Sequence, residues 1–323
     1  APEILDALRA RIDRRIFGYT GLYDDEYYHT FSNWGKDHYD WHFPKEQLCI
    51  SPGIIPALYQ LTEMLCTAGE KVLLNTPAYG YFLHAAEYAG VDVLTSPLDK
   101  KADGTFAVDF EDFERKCADP ACKLVFWCNP HNPTGRVWTK EEISDYIDLM
   151  AKYGITVISD EIWADFMIGE GKKHIPTQSV SDLAKRITCA FYAPSKTFNL
   201  AGLVGSYHVI YNKLLRDRVD KESSLSHYDE MNVLSMHALV GAYSAEGRQW
   251  LTELREVLQS NIDYVCDFLE AQLPGVTCAK PQGTYMVFVD CTQYCAAHEL
   301  TMDTILKRGW DAGVGWQDGR PFH

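Results

Sequence analysis

The sequence predicts an α/β fold: a large domain on a mostly parallel central sheet sandwiched by helices, and a smaller α+β domain after it. Three observations predict it. Short apolar runs alternate with amphipathic stretches through the middle of the chain, the rhythm of strand–helix–strand units that build parallel sheets. A single long amphipathic stretch, 249–273, follows. The segment GVTCAKPQGTYMVFVDC then changes the rhythm to two strand-like runs about a turn.

The elements follow in order. The chain opens without Met, directly in the amphipathic helix APEILDALRARIDRRI, which reads as the start of a fragment. SPGIIPAL, 51–58, places Gly and Pro ahead of apolar residues, a helix start. Runs at 72–75, 91–95, 123–129, 155–160, 187–192 and 206–211 read as strands. The helix at 139–153 opens with TKEE, a hydroxyl cap followed by acids. Two further strands are expected at 276–279 and 284–290. The division that results is an N-terminal segment 1–18 belonging to the small domain, a large domain 19–250 and a small domain 251–323.

Composition narrows the function. A chain of 323 residues suits two domains, and 46% hydrophobic residues suffice for a large core. Thirty basic against forty-five acidic residues give a net charge of −15 with no basic stripe, which argues against nucleic acid and anionic membrane as partners. No apolar run reaches bilayer length and no signal peptide is recognisable. The ten cysteines form no CxxC pair, and Cys117/Cys122 and Cys291/Cys295 lack zinc-site spacing. Cys128 and Cys189 sit inside apolar runs, so the set reads as free thiols in a reducing cytoplasm. There is no GxxxxGK[ST] loop and no GxGxxG after a strand. His38, His42, His131 and His174 fit no HExxH pattern and read as structural or pocket-lining.

Ligands of open α/β sheets bind beyond the carboxyl ends of the strands. The segments to read are therefore 76–79, 129–135, 160–163 and 193–196. Lys196, in FYAPSKTFNLAGL, follows a buried strand, where desolvation favours a neutral, nucleophilic amine. Taken alone it reads as an ordinary surface lysine at a strand end. Asp160 ends the run ITVISD. A carboxylate there needs a partner: a protonated ring nitrogen, or the N-terminus of a helix at EIWADF. Asn132, in NPHNPTG, presents an amide in a turn fixed by two prolines and a glycine. It either bonds a ligand oxygen or serves the turn. Tyr79, in NTPAYGYF, either stacks on a flat ring or packs in the core. The start of SPGIIPAL offers free N–H groups that suit a phosphate.

NPHNPTG, SDEIWADF and APSKTFNLAGL, in that order and spacing, resemble the fold-type I enzymes of the class I/II aminotransferase superfamily that use pyridoxal 5′-phosphate (PLP). With FGYT, SPGIIPAL, NPHNPTGRVW and PQGTYMVFVDC added, the sequence is most similar to the MalY/PatB-type cystathionine β-lyase (C–S lyase) group. The likeness runs from FGYT to the end of the chain. It implies the PLP-dependent transferase-like fold, with Lys196 holding PLP as a Schiff base, Asp160 on the pyridine nitrogen, Asn132 on the 3′-oxygen and Tyr79 on the ring. It implies further that the amides of Ile54 and Ile55, with Ser195, hold the phosphate, and that Tyr19 reaches the phosphate of the neighbouring subunit of a homodimer. Trp163 stands where transaminases carry Tyr and lyases often carry His; it offers only an indole N–H. The carboxylate-binding Arg of the family is expected beyond residue 323; Arg320, in DGRPF, is not assigned that role. The implied reaction is β-elimination from an S-substituted cysteine such as cystathionine, with Lys196 as Cα base. Transamination with a 2-oxo acid and a PLP-binding regulatory role are the alternatives.

Overall fold

A computed structural model describes residues 1–21, 25–169, 171–203 and 205–322. Its centre is a seven-stranded sheet. The strands are β1 (Leu48–Ser51), β2 (Lys71–Thr76), β3 (Asp92–Pro97), β6 (Cys122–Cys128), β7 (Thr156–Asp160), β8 (Thr188–Tyr192) and β9 (Ser206–Ile210), with β4 (Asp99–Lys100) and β5 (Phe106–Ala107) forming a separate small hairpin. The order across the sheet is β1-β9-β8-β7-β6-β2-β3. From β3 to β8 every pairing is parallel; β9 runs antiparallel to both β8 and β1.

The apolar runs become strands because helices cover both faces of the sheet. Leu73, Val125 and Val157 face Phe113, Ile143, Tyr146 and Ile147 of the helices Phe110–Cys117 and Lys140–Tyr153. Leu74, Phe126 and Ile158 face Leu58, Leu61 and Phe82 of the helices Ile54–Leu65 and Gly80–Ala89. The helix Lys140–Tyr153 starts as its sequence requires: Thr139 accepts from the Glu142 N–H, and Glu142 returns a bond to the Thr139 N–H. The six strands expected between 72 and 211 are all present, with no end shifted by more than two residues. The long helix spans Ala245–Gln272. β1 and the hairpin were not expected from the sequence.

The last two expected strands need correction. Of 276–279 and 284–290, only an isolated bridge between Thr277 and Asp290 forms. The cause lies in the turn before the second run. Thr284 is buried with φ 68°, a conformation no strand residue adopts. Its N–H donates to Phe166 O at 2.9 Å, while the Gln282 and Gly283 N–H groups both donate to Gly135 O at 2.8 and 3.0 Å. The backbone of 282–284 is thus stitched to the loops after β6 and β7 instead of to a strand.

That stitch demands glycine at 135. Gly135 has φ 68°, and a Cβ there would lie 2.4 Å from Pro281 Cβ and 3.0 Å from Gly283 O. Gly154, with φ 67°, has open space around the same position. Gly154→Ala is expected to cost about 1 kcal/mol from backbone strain alone, and Gly135→Ala about 3 kcal/mol because overpacking adds to strain. Urea unfolding midpoints of the two variants check the difference; equal losses would mean that the 281–283 segment does not press on Gly135.

Candidate active site

β6, β7 and β8 end side by side, and their pairing puts Cys128 opposite Asp160 and Asp160 opposite Phe191. The segments that follow carry Asn132, Trp163 and Lys196. Tyr79 comes from the turn after β2, as the residue capping the helix Gly80–Ala89.

Asp160 is the electrostatic centre. It is buried, and its Oδ1 accepts one hydrogen bond, from the Ile162 N–H at 3.1 Å. That bond closes a local turn, and 161–165 forms turns instead of the helix its capping alternative required. No lysine or arginine among the described residues pairs with it at ion-pair distance. Burial pushes its carboxyl up to about 6; the Ile162 N–H and the positive charge of Lys196 pull it down, and neighbouring Glu161 pushes it up. Its charge also reaches Tyr79: burial first, then Asp160, raises that phenol to about 12. Asp160, Lys196 and Tyr79 therefore share one electrostatic environment.

Asn132 joins them from the β6 side. Its N–H donates to Cys128 Sγ at 3.4 Å, and the Cys128 thiol is held high by burial and by Asp160. The side-chain oxygen of Asn132 is buried with no hydrogen-bond partner among the described residues. Trp163 is buried, with its ring centre 5.7 Å from Lys196 Nζ. Ser195 and Lys196 are half-buried.

The helix Ile54–Leu65 begins without a side-chain cap. Ala57 N–H already bonds Gly53 O, and Pro56 has no N–H, so the free donors of the first turn are the amides of Ile54 and Ile55. Backbone N–H groups at a helix start attract anions. Tyr19 stands apart in this chain: it is 88% exposed, in a surface cleft beside Met231–Leu234. Arg320 is tied to Asp318 at 2.7 Å and to Asp303 at 2.5 Å.

Two carboxylates that sequence reasoning passed over brace the site. Glu161 is buried and accepts from Ser159 Oγ at 2.9 Å, the Thr177 N–H at 3.0 Å and Tyr192 OH at 2.7 Å, and bonds His174 Nε2 at 2.5 Å. Asp165 accepts from Trp34 Nε1 at 2.9 Å, Tyr39 OH at 2.5 Å and the hydroxyl of Thr197, the neighbour of Lys196, at 2.7 Å. Arg255, on the long helix, bonds the main-chain oxygen of Asp165 with Nε at 2.7 Å. The only signal in the sequence is two acids inside the apolar run SDEIWADF.

A buried carboxylate with a single hydrogen bond, a lysine whose charge reaches it, a phenol, an idle amide and an uncapped helix start form a set that can hold a flat, cationic, phosphorylated ring. Comparison with known proteins agrees. The family described as aminotransferase class I and II matches residues 2–322. The chain is 36% identical over 310 residues to cystathionine β-lyase PatB of Bacillus subtilis, covering 96% of this chain and 79% of PatB. It is 34% identical to protein MalY of Escherichia coli, covering 90% of this chain and 73% of MalY. The crystal structure of the PLP-bound C–S lyase from Staphylococcus hominis superposes with a TM-score of 0.91 at 32% identity, over 100% of this chain and 80% of that one. On these grounds the chain belongs to the class I and II aminotransferase family, with the PLP-dependent type I fold.

Proposed function

We propose that this chain is a PLP-dependent carbon–sulfur β-lyase that splits cystathionine or a related S-substituted cysteine into a thiol, pyruvate and ammonia. The likeness to a cystathionine β-lyase over 96% of the chain carries the reading. The residues fit the cofactor. Asp160 is buried with one hydrogen bond and no salt bridge among the described residues, which suits a pyridinium N–H. The Asn132 amide has an idle oxygen, so the side chain is free to turn either end to the 3′-oxygen. Ile54 and Ile55 supply two unused N–H groups for the phosphate, Ser195 supplies a hydroxyl, and Tyr79 supplies a ring to stack. Trp163 closes the edge next to Lys196.

When bound, PLP supplies an electron sink for the charge that develops at the substrate Cα. The chain supplies the rest. The Asp160 carboxylate keeps the ring nitrogen protonated, and its burial strengthens that pairing. The Lys196 amine would anchor the cofactor, and its free Nζ would take the proton from the substrate Cα as general base. The bond from Thr197 to Asp165 holds the segment from which Nζ reaches. Amino transfer differs in where Lys196 returns that proton. The assembly proposed is a homodimer in which exposed Tyr19 reaches the phosphate of the other subunit. The proposed location is cytoplasmic, a reading supported by ten free cysteines, seven of them buried. The large and small domains, 19–250 and 251–323 with 1–18, are proposed to meet beside Lys196.

Two experiments test the proposal. Incubation with L-cystathionine is expected to release free thiol and pyruvate in equal amounts, and Lys196→Ala to lower that rate at least about a thousandfold. Amino transfer dependent on a 2-oxo acid, without thiol, would refute the lyase assignment. The second reads Asp160. Its carboxyl is raised from the usual 3.8 to about 6 in the fold, so the folded state holds the proton more tightly than the unfolded one. Stability of the PLP-free protein therefore falls as pH rises from about 4 through about 6. Asp160→Asn removes that slope. Without PLP the variant is expected to match the parent near pH 4 and to exceed it by about 3 kcal/mol at pH 8. With PLP the order reverses, because only the carboxylate pairs with the ring nitrogen. Urea denaturation at both pH values, with and without PLP, measures both differences.

A further inference from the structure

Three aromatic rings meet beside Lys196. Tyr285 stands edge-on to Trp163 at 4.8 Å and edge-on to Phe166 at 5.3 Å, and Trp163 and Phe166 are 5.8 Å apart. Trp163 and Phe166 are buried, whereas Tyr285 is 46% exposed. The cluster is thus a wall with a buried base and an open lip, and its Trp163 face lies 5.7 Å from Lys196 Nζ.

Tyr285 is fixed from below. Thr284 is fully buried in the left-handed conformation, its N–H bonded to Phe166 O, and its hydroxyl accepts from the Met286 N–H at 3.1 Å. Ile168 N–H bonds Gln282 O at 2.9 Å. Ordering a backbone this firmly costs conformational entropy, yet the ring it delivers stays half in water. A second apolar surface laid against that ring would complete its burial.

The nearby cations are already engaged. Arg136 bonds Phe106 O at 3.0 Å, Gln282 Oε1 at 3.0 Å and Glu142 at 2.6 Å. Arg255 is bonded to Asp165 O. The polar atoms the three rings bring are one indole N–H and one phenol. Such a wall rewards hydrocarbon and leaves a charged head without a partner.

We infer that Trp163, Phe166 and Tyr285 form the pocket for the sulfur substituent, and that they select cysteines bearing an uncharged aryl or alkyl group on sulfur over cystathionine, whose sulfur carries a second charged amino-acid head. The inference rests on the lyase reading above for placing the substrate Cα next to Lys196. In it Trp163 and Tyr285 set specificity, while Asp160 and Lys196 serve every substrate alike.

The test uses the PLP-loaded protein with S-benzyl-L-cysteine and L-cystathionine. Dissociation constants come from the change in cofactor absorption on titration, which does not require the C–S bond to break; thiol release is followed separately. The benzyl compound is expected to bind at least tenfold tighter. Tyr285→Ala should weaken it at least tenfold while changing cystathionine less than threefold. Tyr285→Lys, which puts a cation on the lip, should narrow or reverse the preference. Equal affinities in the parent, or equal losses for both substrates in both variants, would overturn the inference. A retained binding preference with no thiol from either substrate would instead sink the lyase reading and leave the pocket assignment standing.

Discussion

Three separated parts of the chain end on Asp165. Trp34 and Tyr39 come from the helix Asp25–Tyr39, Thr197 from the segment after β8, and Arg255 from the long helix Ala245–Gln272. The three hydroxyl and indole donors surround a carboxylate that is only 3% exposed. Removing such an acceptor would strand buried donors, each at the cost of its desolvation. Because Thr197 adjoins Lys196, the position of the lysine follows from this arrangement. Arg255 reads the same residue through its carbonyl, so the long helix and the lysine segment share one support.

Neighbouring acids at the end of β7, Asp160 on the strand and Glu161 just after it, are treated in opposite ways, and the extended chain explains it. Successive side chains of an extended chain point to opposite faces. Glu161 turns to the side where Ser159, Thr177, His174 and Tyr192 wait, and its oxygens are saturated. Asp160 turns to the side of Cys128, Phe191 and Tyr79, where one backbone N–H is its partner. A buried carboxylate costs free energy in proportion to what it lacks. The fold compensates that cost at 161 and leaves it open at 160, which is where a cationic ligand gains most.

What could be read from the sequence follows from locality. The inner parallel strands β2, β6, β7 and β8 are buried on both faces, so they appear as apolar runs, and 72–75 or 187–192 could be marked within two residues of β2 and β8. Strand ends then pointed to Asn132, Asp160 and Lys196. β1 escaped because LCIS is four residues long and pairs only with antiparallel β9 at the sheet edge. The run TYMVFVD is continuously apolar from Tyr285 to Val289, like a buried strand, yet Thr284 turns left-handed and its backbone bonds go to loops that no local pattern reveals. The roles of Asp165 and Glu161 were hidden for the same reason. The donors to Asp165 lie 131, 126 and 32 residues away in sequence. Such a hub is a property of the folded chain and leaves only two buried acids in an apolar run as its trace.

The stitch between 282–284 and the loops after β6 and β7 ties these features together. Gly135 belongs to the segment that presents Asn132, and Phe166 follows directly on Asp165. Both give their carbonyl oxygens to the same three residues, which in turn deliver Tyr285 onto Trp163. A displacement of the 281–285 segment would therefore disturb the amide, the lysine support and the aromatic wall together. Hydrogen bonds between backbone groups, with those the Gln282 side chain accepts from Arg136 and the Val137 N–H, hold this junction. The rings that line it are then free to differ, as Trp163 does from the Tyr or His expected at its place. Scaffold and selectivity are separated in this way: main-chain bonds fix where the substrate meets Lys196, and the side chains at 163, 166 and 285 decide what kind of substituent fits there.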